Sequence, residues 1–375
     1  MPEPFKNLFN PRVIALMGDH LKSAAHTFPR DQFVAAACDG LEPLEMKERS
    51  AHIQAALDAA LPTDFRTACA VMMASLSPKT DEDWKAEDLE TLGVSGWAVM
   101  PMAEVVAARG LDDFDHAMSV LAEMTKRFTS EFAVRPFFIR DPERAMAIAG
   151  DWARDDNYHV RRLASEGSRP RLPWGLRLQG FVADPAPLIP LLTSLRDDHV
   201  EYVRRSVANS LNDIAKDQPD LIADVAANWL QDAPKDRVRL VKHACRTLIK
   251  AGHAPTLAAL GYGPANIQVS DIAVLTPAVA MGTALKFDVA VTSQSDEPQP
   301  LIIDYVIHHR KANGGTTPKT FKWKIADLAP GKTLRLPKTH AIKPITTRVY
   351  YAGEHRVEVQ INGQSFGSAA FQLTL

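Results

Sequence analysis

The chain has 375 residues, 46% of them hydrophobic and 23% charged, with a formal net charge of −2. That length is too great for one small core and allows two domains. No apolar run approaches the ~20 residues that span a bilayer, and Cys38, Cys69 and Cys245 are too scattered for a disulfide framework or a thiolate metal site. The stretch Met1–Phe9 has no basic segment followed by an apolar core, so no secretory signal is expected and a cytoplasmic location is. From Gln268 onward there are 12 Lys and Arg against 8 Asp and Glu, a surplus of +4 that leaves −6 for the rest. Binding to a polyanion must therefore use local basic surface.

Residues 1–262 read as helices. Apolar residues at helical spacing mark Pro11–Met17, Asp31–Cys38, Leu44–Ala60 and Asp64–Leu76. Asp81–Trp84 reads as a polar connection. Trp97–Arg109 is helical up to Gly110, and Ala117–Arg127 follows an acidic entry. Phe128–Phe137 is a mixed segment with Glu131 between apolar neighbours. Pro142 opens the helix Glu143–Ala153, where a missing N–H is harmless. Helices are then expected at 158–166, Leu176–Val182, Leu188–Leu195, from Tyr202, at Pro219–Leu230 and at Arg237–Leu248.

Within this series one motif repeats. His159-Val-Arg-Arg-Leu-Ala-Ser-Glu166 and Tyr202-Val-Arg-Arg-Ser-Val-Ala-Asn209 place Val160-Arg161-Arg162 and Val203-Arg204-Arg205 43 residues apart. Arg237–Leu248 is a degenerate third copy, with Lys242 and His243 in place of the arginines. A repeat near 40 residues, with two helices per unit, predicts an all-α HEAT-like solenoid with an atypical last unit. Between the two strong copies lies Gly167-Ser-Arg-Pro-Arg-Leu-Pro-Trp-Gly175, an insert stiffened by two prolines.

Past Gly252–Pro264 the character changes. Short β-branched runs at Ile267–Leu275, Ala284–Thr292, Leu301–His309, Thr320–Ala326, Thr333–Leu336, Thr346–Tyr351, His355–Ile361 and Ser368–Leu375 predict a small antiparallel all-β Ig-like sandwich over 267–375. Asn313-Gly314 and Asn362-Gly363 are hairpin signals.

Residues four apart on a helix share a face. Arg162 therefore lines up with Glu166, and Arg205 with Asn209 and Asp213, in one row if the two helices stack. Arg169, Arg171 and Arg177 add cations nearby. Bracing of adjacent helices by Asp and Arg is the competing reading for each of them, and the double arginine suggests one that braces and one that faces out. Trp174, held beside cations, can stack on a ring or face a cation, or it can plug a gap between helices. Glu131 is either a cap or a functional carboxylate. Nucleotide-binding, metalloprotease, nucleophile-elbow and paired-cysteine motifs are absent. No metal and no cofactor is therefore expected.

Phe128–Phe137, His159–Gly175 and Tyr202–Asp213 together resemble the AlkC branch of the HEAT-repeat DNA alkylation-repair glycosylases, over roughly residues 5–260. The long segment Ser165-Glu-Gly-Ser-Arg-Pro-Arg-Leu-Pro-Trp174 makes the likeness specific. The resemblance implies hydrolysis of the N-glycosidic bond of cationic N-alkylated bases, 3-methyladenine and 3-methylcytosine, without extrusion of the base. It places catalysis on Glu131, Glu166, Trp174 and Asp213. DNA contacts are then expected from Arg135, Arg161, Arg162, Arg169, Arg171, Arg204, Arg205 and Asn209, with alkylated double-stranded DNA as partner and a monomer as the working form. No lysine stands beside the expected site in sequence, so strand cleavage is not expected. The basic sandwich is a candidate second DNA clamp. The alternative is a non-catalytic HEAT-repeat scaffold that binds DNA or protein.

Overall fold

The computed structural model describes residues 4–80 and 83–375. Met1–Glu3 of the N-terminal segment and Asp81 and Glu82 of the expected polar connection lie outside the described residues. The chain forms two compact units, Met1–Asp217 and Gln218–Leu375. The first is helical. The second joins four helices to a two-sheet β-structure that begins at Ile267.

Helix starts in the first unit follow local chemistry. Asn10, Asp64, Asp141 and Asn157 each accept a backbone N–H from the first turn of the following helix, a cap that stabilises a helix by ~1 kcal/mol. Pro11 and Pro142 open their helices. Tyr158–Gly167 and Glu201–Ile214, the two Val-Arg-Arg copies, pack on one another. Their shared seam is the one the periodicity predicts, because Val160, Leu163 and Ala164 are buried, as are Val203, Val207 and Leu211. Ser206 Oγ reaches Ser165 Oγ across the seam at 3.0 Å.

Two six-residue helices, Ala86–Thr91 and Arg135–Arg140, are too short for periodicity to reveal. The helix expected over Leu176–Val182 shrinks to Gln179–Ala183. The reason is that the Leu176 carbonyl is taken by Arg135 and the Leu178 N–H by the Pro170 carbonyl, so this backbone bonds to the preceding loop instead of a helical ladder.

The second unit opens with Pro219–Trp229, Lys235–Ala244, Arg246–Ala251 and Ala254–Ala259. Nine strands follow: β1 (Ile267–Val269), β2 (Ala273–Val274), β3 (Ala278–Ala280), β4 (Ala284–Ser293), β5 (Gln299–Arg310), β6 (Thr316–Leu328), β7 (Thr333–Ala341), β8 (Gly353–Ile361) and β9 (Gln364–Thr374). One sheet gathers β1, β2 and β7 onto β4, and the other runs β3-β9-β8-β5-β6. Phe287, Val289 and Val291 of β4 are buried, as are Leu301, Ile303 and Tyr305 of β5 and Val357, Val359 and Ile361 of β8.

Two details differ from the pattern. Thr346–Tyr351 forms no strand. It is β-branched but follows Pro344, leaves Val349 71% exposed, and contributes one isolated bridge, Ile345 to Arg348. The three-residue β3, between Pro277 and Gly282, pairs parallel to β9, so the sandwich is not wholly antiparallel. The Asn362-Gly363 turn is as expected, with φ of 45° and 79°. Gly363 is also required by contact: a Cβ there would fall 2.6 Å from the Gly252 carbonyl oxygen.

Candidate active site

The turn after Phe114–Met124 carries the first carboxylate. Ser130 is buried and its hydroxyl donates to the Leu121 carbonyl at 2.8 Å, which pins the turn. Thr129 Oγ1 then donates to Glu131 Oε2 at 2.8 Å. Arg162, on the Tyr158–Gly167 helix, donates to the same Oε2 at 2.7 Å and to Thr129 Oγ1 at 2.9 Å. Its Nη2 lies 3.6 Å from Glu166 Oε1, one turn further along the helix. Arg169 follows in the loop. Its Nη1 donates to Glu166 Oε1 at 2.6 Å and its Nε to Asp213 Oδ2 at 2.8 Å. Lys216 Nζ closes the series on Asp213 Oδ1 at 3.1 Å.

Glu131, Glu166 and Asp213 thus belong to one chain of alternating charge, Glu131–Arg162–Glu166–Arg169–Asp213–Lys216. The three carboxylates that sequence singled out come together in the fold, and all are buried. Burial alone pushes a carboxyl up, but Arg162 and Arg169 outweigh it and hold Glu166 below the ordinary glutamate range. Burial likewise opposes the charge on Arg162 and Arg169, yet the facing carboxylates raise both. Glu166 is therefore an anion at neutral pH. Among the described residues Glu131 uses only Oε2, leaving its second oxygen open to a water or a ligand.

Aromatic rings flank this network. The Arg162 guanidinium lies 4.7 Å from the centre of the Tyr202 ring. Tyr202 stands 6.4 Å from Tyr158 and 6.2 Å from His159. Trp174 belongs to a different cluster. Its ring is 60% exposed and lies 6.0 Å from Phe5, which meets Trp97 at 5.0 Å. Its φ of 64° is in the left-handed region, where a bulky residue costs ~1–3 kcal/mol. Lys47 Nζ donates to the Trp174 carbonyl at 2.6 Å and holds that conformation. Arg135 braces the loop from beneath, donating to the carbonyls of Gly167 at 2.9 Å and Arg169 at 2.8 Å, and to that of Leu176.

Several of the arginines expected to contact DNA are buried. Arg135 is wholly enclosed, and burial beside Arg169 pulls it down to about 10. Arg161 is buried, with Nε on Asp198 Oδ2 at 2.6 Å and Nη1 on the carbonyls of Asp155 and Asp156. Arg169 is buried between two carboxylates. These three spend their donors inside the protein, where they brace it. Arg171 makes a two-pronged contact with Asp217 at 2.8 and 2.7 Å near the surface. Arg204 is half-buried and donates to the Asp198 carbonyl at 2.5 Å, and Asn209 is half-buried on the same helix. Arg205 is exposed beside Glu201 at 3.2 Å. It does not share the face of Asp213, because eight residues overshoot two whole turns by ~80°.

Sequence reasoning missed Thr129, Asp198 and Lys216. Thr129, two residues before Glu131, was a local signal for a hydroxyl contact. Lys216, three residues past Asp213 in the turn that ends the helix, was within reach. A lysine therefore does stand beside the site, against the sequence expectation, with its Nζ engaged on Asp213. Among the described residues no group of three His, Cys, Asp or Glu is placed to hold a metal ion.

Residues 268–375 match the family described as "Uncharacterised protein YhaZ, C-terminal Ig-like domain". An uncharacterized protein YhaZ of Bacillus subtilis (strain 168) is 34% identical over 370 residues, covering 98% of this chain and 99% of the relative. A solved structure of Pseudomonas fluorescens alkylpurine DNA glycosylase AlkC, bound to DNA containing an abasic site analog, is 33% identical. The match covers 100% of both chains with a TM-score of 0.89.

Proposed function

The chain belongs to the AlkC family of DNA glycosylases, and from that premise we propose that it hydrolyses the N-glycosidic bond of cationic alkylated bases in duplex DNA, 3-methyladenine and 3-methylcytosine among them. The observation that carries this reading is the buried network in which two arginines keep Glu166 ionised and Glu131 retains an open oxygen. A base that already carries positive charge leaves without a strong acid. Its departure puts positive charge on the sugar, which buried anions stabilise more than water does. The open oxygen of Glu131 takes the proton of the attacking water or orients it.

No deep lesion cavity is needed in this scheme, because the carboxylates act on the sugar and the base need not be extruded. The exposed Trp174 ring meets the lesion or its deoxyribose. Arg171, Arg204, Arg205 and Asn209 reach the phosphates, on a helical body that repeats like a HEAT solenoid, with the basic sandwich as a further clamp. These contacts are independent of sequence and salt-sensitive. The enzyme is monofunctional, works as a monomer in the cytoplasm, and uses no cofactor.

Incubating the protein with methylated duplex DNA and separating the released bases by chromatography tests this. Free 3-methyladenine or 3-methylcytosine, with strand breaks only after alkali, is the expected result. Salt-sensitive DNA binding without any released base would leave the scaffold reading instead.

A further inference from the structure

β5 is buried on both of its faces. Alternation sends Leu301, Ile303 and Tyr305 into the sandwich, and Ile302, Asp304 and Val306 to the opposite side. A register shift between Ile303 and Asp304 sets Asp304 opposite Lys322 of β6. On that side, helices Lys235–Ala244 and Arg246–Ala251 of the same compact unit leave a cavity of about 170 Å³ against the sheet.

The lining is unusual for an accidental gap. Asp304 is 5% exposed, faces the cavity, and its carboxylate has no hydrogen-bond or ion-pair partner among the described residues. Its oxygens open onto the cavity, and burial pushes the carboxyl up to about 6 against the pull of Lys322 and Lys250. The walls are Ile249, Leu260 and Ile302, with the ring of Tyr262 alongside. Four cations, Lys242, Arg246, Lys250 and Lys322, stand around it. Arg246 is oriented by its Nη1 on the His243 carbonyl at 2.7 Å.

Each feature removes a class of ligand. A fatty chain has no donor for Asp304. A polyamine is repelled by four cations. A bare phosphate leaves the apolar walls and the carboxyl unexplained. The volume is below the ~300 Å³ at which drug-sized pockets begin, so it admits one small ring system. We propose that this cavity binds a single nucleotide unit, its base inserted with N–H donors on Asp304 and its phosphate on the surrounding lysines and arginine. The same chemistry could be presented by a free mononucleotide or by an unpaired nucleotide of a DNA strand. The site is separate from the carboxylate network and does not rest on the excision reading.

Calorimetric titration of the full chain with dAMP, deoxyadenosine and inorganic phosphate tests it. The mononucleotide is expected to bind at least about ten-fold more tightly than nucleoside or phosphate, a difference of ~1.4 kcal/mol. Ile325→Trp, at a cavity-lining position that is 51% exposed, is expected to abolish this binding with an unchanged melting temperature. Asp304→Asn is expected to weaken it. A 5′-phosphorylated tetra-deoxyadenylate that binds more tightly than dAMP, and loses this in Ile325→Trp, assigns the site to a strand; tighter dAMP assigns it to free nucleotide. Phosphate binding as tightly as dAMP, or dAMP binding unaltered in a folded Ile325→Trp, overturns the proposal.

Discussion

The two Val-Arg-Arg copies begin alike and diverge at the second arginine. Arg161 and Arg204 both turn to Asp198, one to its carboxylate and the other to its carbonyl. In each copy the first arginine is therefore tied to the turn at Asp198. Arg162 then bridges Glu131 and Glu166, while Arg205 lies at the surface beside Glu201. The residue four positions on makes the difference, because Glu166 continues the charge network inward and Asn209 does not. The repeat supplies the packed seam, and the buried charge network lies where the copies depart from one another.

The most disruptive way to break this contrast is at Arg169, the link between the two copies. Arg169→Met leaves Glu166 and Asp213 buried without their shared partner, and a loss of ~3–5 kcal/mol in unfolding free energy is expected. Denaturant unfolding measures it. A change below ~1 kcal/mol would mean the network contributes no structural coupling.

Acid titration sharpens the account of Glu166. Its carboxyl is depressed in the folded protein, so the stabilisation is complete above the ordinary glutamate value of ~4.3 and is lost as pH falls through the folded-state value. The melting-temperature advantage of wild type over Glu166→Gln should therefore be constant near neutrality and shrink on acidification. An advantage that grew with acid would show that the carboxyl is protonated in the native state.

Trp174 separates strain from function. Trp174→Gly relieves a left-handed backbone at φ 64° and removes the ring. Stability should rise by up to ~1 kcal/mol or stay level, while excision falls. Excision that survives intact would reduce the ring to a loop ornament.

The smallest effect belongs to the second copy. Arg205→Gln removes an exposed ion pair, and unfolding free energy should move by less than ~0.5 kcal/mol. Its effect should appear instead as a reduction of ~1 in the slope of log affinity for DNA against log salt.

Much of this was legible in sequence for physical reasons. Val160, Leu163 and Ala164, with Val203, Val207 and Leu211, betrayed the seam because helical spacing reports which face is apolar. Glu131, Glu166 and Asp213 could be picked out, and the fold unites them. Pairing across space was hidden. Arg169 reads as one of several loop cations, and only the fold shows its donors committed to two carboxylates. Arg135 reads as a surface cation beside a proline, yet it is the fully buried staple of the Trp174 loop. The eight-residue drift that parts Arg205 from Asp213 is a lesson in extending a four-residue rule too far. β3 escaped notice because three residues carry too little pattern.

In the proposed reaction the buried carboxylates Glu131, Glu166 and Asp213 stabilise the sugar cation and position the water. Single-turnover release of 3-methyladenine from methylated duplex DNA by Glu131→Gln, Glu166→Gln and Asp213→Asn, each checked for folding and DNA affinity, tests it most directly. At least one is expected to lose ~10²–10³-fold in rate, ~2.7–4 kcal/mol of transition-state stabilisation, with DNA binding within about two-fold of wild type. Wild-type rates in all three folded variants would contradict it.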